Sequence, residues 1–274
     1  MWRMSMTVLG LLALAGEALQ GSVGAQALPA EVTVPMFDFG HRPVIEVGIN
    51  GQGPFRMILD TGASETVVAP EWVGREAGSI QLREVRIGAL SWKHVPAESQ
   101  AIFAGPIAAE FPKGVLSAAA FPGYLVTLDY PNKTISIRKG ELPVADGRRV
   151  FQYGRAEALP VAPVRVAGQE FNLHVDSGSP GGVMLPLRFS KALPLGGDLA
   201  PVGKARTVAG EFDVFSAPVK GAVELGEYVL DVPAVRFSDL RPGPEPGPGN
   251  IGYEVLRTFK VTLDAANRRL FFER

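Results

Sequence analysis

MILDTGASETVV, Met57 to Val68, runs three apolar residues into a carboxylate, a hydroxyl and a glycine before turning apolar again. That pattern predicts a strand driven into Asp60 and a turn at Gly62. A carboxylate at a buried or half-buried strand end is costly unless it is hydrogen-bonded, paired or put to chemical use. LHVDSGSPGGVML, Leu173 to Leu185, sets the same problem at Asp176.

The two stretches belong to longer repeats. PVIEVGINGQGPFRMILDTGAS and LPVAPVRVAGQEFNLHVDSGSP each read as an alternating strand, a turn at Gly51-Gln52 or Gly168-Gln169, a second strand and then Asp-Thr/Ser-Gly. YLVTLDYPNKTISI (Tyr124 to Ile137) and FKVTLDAANRRLFF (Phe259 to Phe272) share V-T-L-D and an asparagine at a common offset of 135. Each predicts a hairpin turning at Pro131-Asn132 or Ala266-Asn267. Between motif and hairpin, GVLSAAAF (Gly114 to Phe121) parallels NIGYEVL (Asn250 to Leu256). Three markers in one order predict two lobes, residues 28–142 and 143–274, joined through the polar KGELPVADGRRVFQYG. RPGPEPGPGN, Arg241 to Asn250, reads as a stiff surface spacer.

Composition agrees with an all-β chain. Its 274 residues, 46% hydrophobic, suffice for a large core, and 32 Gly with 23 Pro favour short strands joined by turns. A net charge of −1 offers no nucleic-acid footprint. The absence of cysteine excludes disulfides, thiolate catalysis and zinc-thiolate sites. His41, His94 and His174 lie far apart and show no metal-ligand spacing, so no metal and no cofactor are expected. His174, two before Asp176, is expected on the same strand face, as a packed or solvated side chain. Residues 1–27 read as a signal peptide: Arg3, an apolar Thr7–Ala15 and an Ala25-Gln26-Ala27 cleavage site. The mature chain is then exported, periplasmic or secreted, with no stable membrane insertion after cleavage.

Two aspartates meeting across a lobe interface would share a proton, since two adjacent carboxylates do not both ionise easily. The charged one can take a proton from water while the protonated one hydrogen-bonds the carbonyl under attack. Gly62 and Gly178 allow a tight turn and close backbone approach. Thr61 and Ser177 each place a hydroxyl beside an aspartate.

On these motifs the chain resembles the pepsin/retropepsin aspartic protease superfamily, as a bacterial retropepsin-like protein with two fused lobes. Asp60-Thr61-Gly62-Ala63-Ser64, Asp176-Ser177-Gly178-Ser179, the V-T-L-D hairpins and Asn250-Ile251-Gly252 carry the likeness over nearly all the mature chain. It implies two pseudo-symmetric β-barrel lobes with an interlobe cleft for an extended peptide or protein substrate. It also implies a dyad of Asp60 and Asp176, with Thr61 and Ser177 making interlocking hydroxyl bonds behind it. Ala63, Ser64, Ser179, Ala209 and Gly210 are the expected substrate contacts.

Three departures stand out. Pro180 replaces a small hydroxyl residue, and Ser117 replaces a glycine, which would crowd the loop behind the site. The first half is roughly twenty residues shorter than the second between its aspartate and the following Gly88 or Gly226. That leaves Val202–Val219, turning at Ala209-Gly210, as the single candidate flap, or else an ordinary edge hairpin. The departures motivate an alternative: a catalytically weak or inactive protein of the same fold that binds peptides or a protein partner. A carboxylate-based metal hydrolase is a third reading and predicts chelator sensitivity.

Overall fold

The computed structural model describes residues 30–74, 77–101, 112–155, 157, 159–207, 210–239 and 248–274. The leader expected over 1–27, the turn residue Ala209 and most of the Arg241–Asn250 spacer lie outside the described residues. The chain is all-β, 53% strand against 7% helix.

The first half contributes β1 (Glu31–Pro35), β2 (Phe37–Asp38), β3 (Pro43–Ile49), β4 (Gln52–Asp60), β5 (Thr66–Val68), β6 (Gly78–Ile87), β7 (Leu90–Ser99) and β8 (Val115–Ser117). The sheet order β2-β3-β4-β8-β5-β7-β6 closes on itself, because β3 also pairs with β6 through Gly48↔Arg86 and Ile49↔Val85. Six strands thus form a barrel. Its inward-facing Ile45, Val47, Ile49, Leu82, Val85 and Ile87 are essentially solvent-free, each worth about 1.5–3 kcal/mol of burial. The parallel β4–β8 pair sets Asp60 opposite Ser117.

β9 (Tyr124–Asp129), β10 (Thr134–Lys139) and β11 (Val150–Gln152) belong to another sheet. The second half then builds β12 (Val161–Val166), β13 (Gln169–Val175), β14 (Val183–Leu185), β15 (Ala200–Thr207), β16 (Gly210–Ala217), β17 (Val223–Leu225), β18 (Tyr228–Leu230), β19 (Val235–Phe237) and β20 (Asn250–Ile251). They form one nine-stranded sheet, β15-β16-β19-β14-β20-β13-β12-β17-β18. Around the second aspartate the pairing senses of the first half recur. β13 runs parallel to β20, β14 is antiparallel to β20, and β14 runs parallel to β19.

The third sheet joins the halves in the order β1-β10-β9-β21-β22-β11, with β21 (Lys260–Asp264) and β22 (Arg269–Glu273). At its centre β9 and β21 pair antiparallel, with Thr127 opposite Thr262, Val126 opposite Leu263 and Leu128 opposite Val261. The repeated V-T-L-D segments therefore pair with each other, threonine to threonine. Their aspartates have a local task. Asp129 accepts from the Asn132 backbone N–H and side-chain amide at 3.0 Å each, and Asp264 accepts from the same groups of Asn267 at 3.1 and 2.9 Å. This is the Asp-to-turn bonding that favours such residues at chain reversals.

The hairpin turns before the aspartates fall one residue earlier than the sequence predicts. Asn50-Gly51 and Ala167-Gly168 are the turn residues, with positive φ at Asn50 (54°) and Ala167 (50°), while Gln52 and Gln169 open the following strands. Two-residue hairpins whose twist matches the strands need positive φ at both positions, so the reversal begins before the glycine.

Candidate active site

Asp60 ends β4 and Asp176 follows β13 directly. Both apolar strands continue into tight loops, and the loops interlock. Thr61 N–H donates to Ser177 Oγ at 2.9 Å, and Ser177 N–H donates to Thr61 Oγ1 at 3.0 Å. Each hydroxyl then donates across the interface, Thr61 Oγ1 to Val175 O at 2.5 Å and Ser177 Oγ to Leu59 O at 2.8 Å. Thr61 is 3% exposed and Ser177 1%, so every group in this ring is satisfied out of water. Such a network rigidifies what it holds.

The ring brings the aspartates together. A Cβ placed on Gly62 would lie 2.7 Å from Asp176 Oδ1 and 3.2 Å from Asp60 Oδ1, and one on Gly178 would lie 2.3 Å from Asp60 Oδ2. The two Oδ1 atoms are therefore within about 6 Å, the range over which carboxylates perturb one another. Neither Gly62 nor Gly178 takes positive φ. Glycine is required here for space, because each faces the other half's carboxylate.

Burial raises both carboxyls above the ordinary aspartate range. Asp60 is pushed up to about 7, first by burial and then by Asp176, while the backbone N–H groups of Gly62 and Gly178 and the Arg42 charge hold it back. Asp176 is raised by burial and held down first by the Asn250 side chain, then by backbone N–H groups of Ser179 and Gly178, then by Arg42. Asn250 Nδ2 donates to Asp176 Oδ2 at 3.0 Å. Both carboxyls are thus raised by burial, Asp60 accepts from Gly62 N–H at 2.7 Å, and Asp176 has the Asn250 side-chain donor. No family model matches this sequence, and no curated protein matches it.

Arg42 belongs to no motif, and Asn250, although part of the Asn250-Ile251-Gly252 segment, is not marked by it as a partner of the aspartate. Arg42 lies between β2 and β3, donates Nε–H to Gly178 O at 2.9 Å and Nη1–H to Gly40 O at 3.0 Å, and sits beside both aspartates. Burial lowers its pKa from the usual arginine value, and the aspartates oppose that. Tyr130, just past β9, buries a hydroxyl with no partner among the described residues, and burial together with both aspartates raises its pKa. His41 stacks on Tyr253 across the halves, ring centroids 4.7 Å apart.

A recess of about 650 Å³ opens on the Asp176 side. Gly178 and Ser179 line it, as do Lys204 of β15 and Val214 of β16. The β15–β16 hairpin is thus a wall of the recess, and Gly210 begins its return strand. Ala63 and Ser64 lie in the Asp60 loop, outside this lining. His174 is half-buried in β13 opposite Asn250. The described residues hold no group of three histidine or acidic side chains placed to bind a metal, and no helix among them is long and apolar enough to cross a membrane.

Two departures resolve differently from expectation. Ser117 does not crowd the Asp60 loop; its Oγ donates to Ala63 O at 2.8 Å and accepts from Ala119 N–H at 3.2 Å. In the second half the Tyr253 N–H reaches the corresponding Ser179 O at 2.9 Å. A side chain thus performs in one half what a backbone amide performs in the other. Pro180 is exposed, and Ser179 keeps its own N–H bonded to Asp176 O at 3.2 Å.

Proposed function

We propose that the chain is an exported aspartic endopeptidase of the pepsin/retropepsin type, with pseudo-symmetric lobes 28–142 and 143–274 each giving one aspartate. The observation that carries this reading is the reciprocal Thr61–Ser177 ring, which holds two carboxyls in mutual range. A structural role alone would not favour a carboxylate pair, since well-packed apolar residues of similar volume are often as stable or more so.

In this mechanism Asp176 is the anion and Asp60 carries the proton. Asp176 takes a proton from a water molecule as the water oxygen bonds the substrate carbonyl carbon, and Asp60 delivers its proton to the carbonyl oxygen. The resulting diol collapses as the C–N bond breaks: the amine nitrogen takes the proton held by Asp176, and one diol hydroxyl returns a proton to Asp60. Acid and amine leave, and the dyad is restored. An extended peptide along the cleft would use backbone hydrogen bonds as an added strand does, with the β15–β16 hairpin as its cover.

The test is cleavage of unfolded casein and a peptide library by the mature chain, beside Asp60→Asn and Asp176→Asn, from acid to neutral pH. Wild type cuts, and each variant loses at least about 100-fold, the scale of a general acid or base. Cleavage that survives both substitutions, or that a chelator abolishes, defeats the proposal. No cleavage under any condition, with folded variants as stable as wild type, favours the non-catalytic binder.

A further inference from the structure

Among the described residues, the recess beside Asp176 holds one cation with no acidic group within ion-pair distance. Of its basic residues, Arg236 is paired, Nη2 to Glu254 Oε1 at 2.7 Å. Lys204 approaches Glu211 at 3.8 Å on the exposed hairpin, a contact of little energetic weight. Arg42 is half-buried, and both its acceptors among the described residues are neutral carbonyls, Gly178 O and Gly40 O. A guanidinium has five N–H donors, so three of those on Arg42 have no acceptor among the described residues. The dyad's single shared charge is felt at Arg42, but neither aspartate comes within ion-pair distance of it. Arg42 also spans the interface: it arises between β2 and β3 and bonds the second half's loop, so its place in the lining is held from both halves.

A half-buried, unpaired guanidinium in a substrate cleft is poorly explained by stability, because partial burial without a counter-charge is unfavourable. It is well explained by an anion that arrives with the ligand. The planar fork suits a carboxylate in bidentate fashion. Asn250 adds a second unmet group in the wall of the same recess, a buried Oδ1 with no partner among the described residues. That atom accepts, so the ligand it suits presents an N–H close to its anionic group, as a peptide does.

We infer that Arg42 receives a carboxylate of the substrate, so that the cleft selects peptides carrying an acidic group on the Asp176 side of the cleaved bond. The inference rests on the peptide-cleaving reading above. An aspartate or glutamate side chain and a free C-terminus both carry this carboxylate chemistry, and the experiment separates these sources.

The probe is a set of peptides with one cleavage site, in which glutamine is replaced by glutamate at successive positions on each side, each made with a free or amidated C-terminus. Wild type is compared with Arg42→Met and Arg42→Lys. At one position, or with the free C-terminus, the acidic peptide has kcat/KM about tenfold or more above its neutral counterpart. Arg42→Met brings that ratio to about one, and Arg42→Lys keeps part of it. Because the readout is a ratio within each enzyme, a change in overall activity does not mimic it. A wild-type ratio near one for every pair, or an unchanged ratio in Arg42→Met, overturns the inference while leaving the protease reading intact. If wild type cuts nothing, fluorescently labelled versions of the same peptides are titrated against it. Tighter binding of the acidic member, lost in Arg42→Met, upholds the Arg42 role as proteolysis falls; equal or absent binding ends both.

Discussion

Asn250 Nδ2 sits 3.0 Å from Asp176 Oδ2, and the register position that matches Asn250 in the first half is held by Val115. The correspondence is structural: Asn250 pairs with His174 across β20–β13, and Val115 with Ile58 across β8–β4, each two residues before an aspartate. One half therefore supplies a hydrogen-bond donor to its carboxylate where the other supplies a branched apolar side chain. A donor to the charged form favours that form, so in the proposed mechanism Asp176 is the base and Asp60 the acid.

Replacing Asn250 with valine makes the halves alike. The lower titration of the dyad then rises, because Asp176 loses its leading stabiliser as an anion. In a bell-shaped profile of kcat/KM the acid limb moves to higher pH. The basic limb, set by the raised Asp60, moves less, so the bell narrows. An acid limb that stays in place in a folded Asn250→Val enzyme would show that the contact does not govern protonation.

Asp60 also makes stability depend on pH. Its folded pKa, about 7, lies above its unfolded value of 3.8. Its contribution is fully present below about pH 4 and is lost as pH rises toward 7. Asp60→Asn imitates the protonated form and escapes this loss. The full displacement corresponds to about 4 kcal/mol; since solvent reaches Asp60, about 1–3 kcal/mol is expected. Urea denaturation should find the variant more stable than wild type at pH 8 and nearly equal at pH 4. Equal stability at both pH values would mean that Asp60 is not raised.

What the sequence reveals and what it hides follow the range of each interaction. The Asp-Thr/Ser-Gly loops and the V-T-L-D hairpins are legible because strand alternation, turn chemistry and the Asp129–Asn132 and Asp264–Asn267 contacts are local. Arg42 is not, because its acceptor Gly178 O lies 136 residues away, and nothing in HRPV around it marks a cleft residue. Asn250 left a trace: laying the halves over one another sets a polar residue against Val115 in an otherwise apolar strand. Ser117 reads as an intrusion only while glycine is taken as obligatory; its hydroxyl bonds to Ala63 O make it a fitted part.

The sheet joining the halves offers a test of its centre. Thr127 Oγ1 and Thr262 Oγ1 are 2.9 Å apart, and the residues are 4% and 5% exposed. Changing either to valine strands the other hydroxyl and should destabilise by about 1–3 kcal/mol. Changing both removes the polar pair while keeping its shape, so the double variant should lose less than the sum of the singles. Strict additivity in urea unfolding would mean that the two hydroxyls do not depend on each other.

The Thr61–Ser177 ring should be coupled through function as well as stability. Thr61→Val removes the donor to Val175 O and the acceptor for Ser177 N–H, and Ser177→Ala removes the mirror-image pair. Each leaves buried backbone groups unsatisfied and should cost about 2–4 kcal/mol. Since each hydroxyl orients the other's loop, a double-mutant cycle should show an interaction energy of about 0.5–3 kcal/mol. Activity should fall further than stability alone explains, because the ring sets the spacing of Asp60 and Asp176 and small misplacements of catalytic groups are costly. Assays on the folded fraction, with unfolding followed in parallel, separate the two effects. Full activity per folded molecule in Thr61→Val would show that the dyad keeps its geometry without the ring.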